Sequence, residues 1–66
     1  MFLVDQKVKV IRNCEVTGLR LKRGMLGIVR TLTIHQDPPL YWVKFPEYGE
    51  VAMKADEIEV VSEKRN

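Results

Sequence analysis

Histidine and cysteine occur once each in this chain, as His35 and Cys14. One of each excludes a disulfide framework and a cluster of metal-ligating side chains, so neither a metal site nor a cofactor is expected. Nucleophilic catalysis has little to draw on, because it needs a thiol or hydroxyl beside a base that a third group orients. Cys14 and His35 fall in separate polar stretches, and two unrelated loop residues are the simpler reading. Asp56 and Glu57 are adjacent, so their side chains diverge on an extended or turning chain and serve as a charged turn. Gly24-Met25-Leu26-Gly27 lacks the Lys-Ser/Thr pair of a phosphate-binding loop. The chain is not expected to be an enzyme.

Long apolar runs are missing too. Nothing is long enough to span a bilayer, no signal-peptide pattern occurs, and a lone thiol suits a reducing compartment. A soluble, cytoplasmic protein without a membrane span is the expectation. Charge of one sign is not in strong excess either. Eleven Lys and Arg against nine Asp and Glu leave a formal charge of +2. That is ordinary solubility and argues against nucleic acid as the partner. The distribution is uneven, with Lys7, Lys9, Arg12, Arg20, Lys22, Arg23 and Arg30 early and Glu47, Glu50, Asp56, Glu57 and Glu59 late. If the termini pair, this predicts a dipolar field.

What is present is strand pattern. Lys7-Val8-Lys9-Val10-Ile11-Arg12 alternates in period two, Leu26–Ile34 is rich in β-branched residues, and Leu40–Phe45 alternates again. Glu50–Lys54 follows the Pro46–Gly49 turn as a hairpin partner, and Ile58–Val61 closes the set after a tight turn at Ala55-Asp56-Glu57. Asn13–Gly18 reads as a loop by composition, and Leu19–Lys22, with Leu19 and Leu21 alternating with Arg20 and Lys22, as a short extended segment. Met1–Val4 reads as an apolar lead-in that adds an edge or a lid. Gly24 follows two cations as a turn residue with positive φ. Gly27 lies inside a strand, where a glycine usually marks a bulge, a sharp bend or a close backbone approach, and the sheet is expected to curl at Gly27.

Sixty-six residues make one small domain. The expectation is a single domain over 1–61 with a polar tail over 62–66, in which every large apolar residue joins the core. Five short strands without helical spacing predict an all-β fold, a small five-stranded SH3-like partly open barrel. An OB-fold is second, since it usually needs a longer chain and a helix.

On strand Leu40–Phe45, Trp42 shares a face with Leu40 and Lys44, opposite Tyr41, Val43 and Phe45. If the latter three are core, Trp42 points outward and either anchors a partner or covers the open end of the barrel. The basic residues with Tyr41 and Trp42 also admit a second class, a nucleic-acid-binding barrel, against a plain solvated strand face.

Val10-Ile11-Arg12-Asn13, Lys22-Arg23-Gly24, and Gly27 with Val29 and Arg30 resemble the NifZ family of nitrogenase accessory proteins. The likeness runs on through Thr33-Ile34-His35-Gln36-Asp37 to Tyr41, Val43 and Phe45, a Thr-x-x-Gln-Asp-x-x-x-Tyr-x-Val-x-Phe pattern. Gly49 and Asp56-Glu57-Ile58 extend it. Cys14–Gly18 stands where that family carries Asn-Asp-Gly-Thr, and Ala52-Met53-Lys54-Ala55 replaces its Gly-Cys-Arg, so no cysteine role transfers. The resemblance implies a non-catalytic accessory module that assists a redox or metallocluster enzyme. Gly24-Met25, Gly27, Val29, Val43-Lys44-Phe45 and Asp56-Glu57-Ile58 are also similar to the variable chain of ferredoxin-thioredoxin reductase. That likeness implies a structural barrel of photosynthetic electron transport, of the kind represented by the PsaE subunit of photosystem I.

Both resemblances imply a protein partner. The expected partner-binding rim joins the Cys14–Gly18 and His35–Pro39 loops, because polar loops on a rigid scaffold commonly carry function. Its residues are Arg12 and Asn13 at the entrance of the first loop, His35, Gln36 and Asp37 in the second, and Arg30 and Trp42 as contacts.

Overall fold

A computed structural model describes residues 2–33 and 35–61. Seven strands form: β1 (Lys7–Val10), β2 (Cys14–Val16), β3 (Leu19–Leu21), β4 (Leu26–Thr33), β5 (Leu40–Phe45), β6 (Gly49–Lys54) and β7 (Ile58–Val60). A single 3₁₀ turn, Ala55–Glu57, precedes β7. Five strands make one antiparallel sheet in the order β6-β5-β4-β1-β7, and β2 pairs only with β3. Strand β6 is not paired with β7, so the barrel stays partly open. This is the small all-β, SH3-like architecture that the alternation predicts.

The five sheet strands are those expected. The Asn13–Gly18 loop is not, because Cys14–Val16 is a strand. Thr17 and Gly18 carry φ of 47° and 85°, and they join β2 to β3 with Val16 opposite Leu19. Two consecutive positive φ values match the twist of a two-residue hairpin, a position where Asn-Gly is usual and a β-branched residue is strained. Thr17 hides that signal. The hairpin is held down by buried Leu21, by half-buried Cys14, Val16 and Leu19 against the core, and by the Tyr48 hydroxyl donating to the Arg20 carbonyl at 3.2 Å.

Inward residues alternate as period two requires. Val8, Val10, Val29, Tyr41, Val43, Phe45, Val51, Met53 and Ile58 are buried with Leu21, and no polar or charged residue is buried among the described residues. Phe2 caps this cluster edge-to-face on Tyr41, with ring centroids 5.0 Å apart, so the lead-in acts as a lid. The N–H of Asp5 donates to the Val29 carbonyl, and the N–H of Val29 donates to Gln6, which ties the lid to β4.

Gly24, with φ of 97°, sits in the turn that the N–H of Met25 closes onto the Lys22 carbonyl at 3.1 Å. Gly27 is the close approach. A Cβ there would lie 2.5 Å from Val43 Cγ1 and 2.9 Å from the Lys44 carbonyl oxygen. The bulge itself comes later, where the β4–β5 register slips between Val29 and Thr31 and leaves Arg30 extra.

Two expectations are corrected here. Large apolar residues are not all in the core: Leu3, Val4, Leu26, Ile28, Tyr48 and Val60 are exposed. A small curled sheet has more apolar side chains than its one inner face can hold. Nor do the two halves separate their charge into a simple dipole. Pairing β1 with β7 sets Lys9 3.4 Å from Glu59, and Arg12 lies 3.1 Å from Asp56. The proposed tail, 62–66, and Ile34 lie outside the described residues.

Candidate functional site

Strand β4 shows two different faces. Gly27 and Val29 point inward; Leu26, Ile28 and Arg30 point outward. Leu26, at the start of β4, is 52% and Ile28 40% exposed, and the two lie on the same face as neighbours. The register explains what surrounds them. Lys7 on β1 and Lys44 on β5 both lie opposite Ile28, so Lys7, Ile28 and Lys44 form one row across three strands. Arg30 follows at the bulge, and Pro46 comes in from the β5–β6 turn. Together with Leu26 these residues line an open groove of about 400 Å³ whose exposed lining is mainly apolar.

Among the described residues, three cations and no carboxylate line this groove. Arg30 is paired at its edge with Asp5, 3.4 Å away, and both side chains are largely exposed. An exposed pair of this kind contributes about 0–1 kcal/mol and is readily exchanged for another carboxylate. Lys44 faces Glu50 in register, yet forms no ion pair among the described residues.

The residues expected at a rim are distributed otherwise. Arg12 forms its ion pair with Asp56, and the Asn13 side-chain oxygen accepts the N–H of Arg23 at 2.9 Å. Both therefore brace the base of the hairpin. His35, Gln36 and Asp37 are exposed in the β4–β5 connection, whose base is closed by the Thr33 hydroxyl donating to the Leu40 carbonyl at 3.1 Å. No hydrogen bond or ion pair joins that connection to Cys14–Gly18 among the described residues. Trp42 does point away from the core, half-buried, opposite Thr31 on β4 and Ala52 on β6. Of the expected residues, only Arg30 lines the groove. Leu26, Ile28, Lys7, Lys44 and Pro46, which line it with Arg30, are not among the residues expected from the sequence. Their signal lies in the alternation itself: an inward Gly27 sends Leu26 and Ile28 outward beside Arg30.

Cys14 borders a second hollow of about 390 Å³ with Glu15, Arg20 and Lys22. Burial raises its thiol pKa above the ordinary value, Glu57 raises it further, Arg12 lowers it and Asp56 raises it. A thiol held protonated in this way is a poor nucleophile near neutral pH. Among the described residues, no three His, Cys, Asp or Glu side chains gather as a metal site. Nor is any helix there long and apolar enough to cross a membrane.

Comparison with known proteins adds no relative: no family model, no curated protein and no solved structure matches this chain.

Proposed function

We propose that this chain is a non-catalytic accessory module of the cytoplasm that docks on a protein partner through the outer face of β4. The observation that carries the proposal is the open aliphatic groove of Leu26, Ile28 and Pro46, bordered by Lys7, Arg30 and Lys44. Apolar surface at the centre with charge at the border is the usual anatomy of a protein-binding patch. The NifZ-like residues Thr33, Gln36, Asp37, Tyr41, Val43 and Phe45 support a redox or metallocluster enzyme as that partner, in the manner of a nitrogenase maturation factor. The similarity to the ferredoxin-thioredoxin reductase variable chain gives the same physical role in photosynthetic electron transport. Neighbouring nitrogenase or photosynthetic genes distinguish the two.

The test is affinity capture from the source extract with the tagged full chain and with an Ile28→Glu variant, followed by identification of what is retained. The expected result is a metallocluster or redox enzyme held by the native chain and lost with the variant. Equal recovery with both, or no retained protein at any salt concentration, contradicts the proposal.

A further inference from the structure

We infer that the occupant of the β4 groove is an extended acidic segment of another protein, in which aliphatic side chains alternate with carboxylates. The inference rests on the docking reading above and specifies its chemistry. Leu26, Ile28 and Arg30 succeed one another at every second residue of β4, a spacing of about 7 Å that an extended peptide shares along each of its faces. Ile28 lies between Lys7 and Lys44 in register, so an aliphatic side chain seated on it has Lys44 as its cationic neighbour on β5. Carboxylates flanking that side chain reach Lys44 and, by displacing exposed Asp5, Arg30. Among the described residues no carboxylate lines the groove itself; Glu50, opposite Lys44, and Asp5, beside Arg30, stand at its border.

Other occupants fit less well. Among the described residues no aromatic ring lines the groove, and Trp42 sits one row away, so these residues give the bases of a nucleic acid no stacking platform. The chain's own acidic-aliphatic run, Glu57-Ile58-Glu59-Val60, is already engaged: Ile58 is buried and Glu59 is paired with Lys9. A second copy therefore cannot offer that run without dismantling β7.

The experiment is a titration of the isotope-labelled full chain, followed by NMR, with a synthetic peptide of alternating Asp/Glu and Leu/Ile. A Lys-for-acid counterpart, a single-stranded RNA and anionic phospholipid vesicles are run in parallel. Shifts centred on Leu26–Arg30 and Lys44 are expected with the acidic peptide alone. Lys44→Glu should weaken binding about thirtyfold, the effect of exchanging one close attraction for one close repulsion in a high-dielectric setting. Ile28→Ser and Ile28→Glu should weaken it while leaving the native spectrum of the remaining strands intact. Binding that ignores all three substitutions, shifts centred elsewhere, or tighter binding of RNA or vesicles at these residues overturns the inference. If the acidic peptide does not bind while partner capture still depends on Ile28, the acidic class alone is wrong. If both fail, the docking reading falls with it.

Discussion

The two faces of strand β4 differ in what the fold asks of them. On the inner face even a methyl group at Gly27 collides with Val43 and with the backbone of Lys44, and Val29 is fully buried. On the outer face, Leu26 and Ile28 are exposed beside cations. The first face is determined by packing. The second leaves apolar side chains open beside cations, which is the feature the proposed docking face rests on.

The largest expected effect breaks the inner face. Gly27→Val should destabilise by about 2–4 kcal/mol, because three added carbons meet a filled core and a backbone carbonyl. A domain of this size has only about 3–5 kcal/mol in hand, so the chemical-denaturation midpoint should fall to a small fraction of its native value. Unchanged melting would mean that β4 and β5 do not approach as described. Next comes the β2–β3 turn, a control away from either face. Thr17→Asn should stabilise by about 0.5–1 kcal/mol, since Asn accepts a positive φ that a β-branched residue resists; a lower melting temperature would contradict the turn geometry.

Arg12→Ala sits lower. Loss of its exposed pair with Asp56 should cost about 0–1 kcal/mol. The same change removes the one cation that lowers the Cys14 pKa, so the pH profile of thiol alkylation should move to higher pH. The sign for stability follows from linkage. With its folded pKa raised, the thiol contributes stability at neutral pH that fades as pH climbs past the ordinary thiol range toward the folded value. An alkylation profile that moves to lower pH in Arg12→Ala would contradict this placement of charges. The smallest effect belongs to the outer face: Ile28→Ser should change stability by no more than about 0.5 kcal/mol. A large loss would show that Ile28 serves the fold after all and would erase the contrast between the faces.

Much of the architecture was legible. Alternation in Lys7–Val10, Leu40–Phe45 and Glu50–Lys54 locates strands without any long-range information, and Gly27 announces a close approach. The β2–β3 hairpin was hidden because Thr17-Gly18 lacks the usual Asn or Asp before glycine. The groove was less legible than the strands. Arg30 could be singled out as a cation near a bend, but Leu26 and Ile28 looked like core until the inward set was known. The row Lys7–Ile28–Lys44 depends on the register of three strands, which is non-local information. The loop rim was favoured because polar, proline-bearing loops so often carry function. Its Arg12 and Asn13 make contacts that hold the hairpin in place.

The most direct measurement is methyl NMR of the labelled chain with and without its captured partner. The account predicts that the Leu26 and Ile28 methyl signals change strongly while those of Val29 and Val43, on the opposite face, stay nearly still. Changes centred on Trp42 and the His35–Pro39 connection, with Leu26 and Ile28 undisturbed, would contradict it.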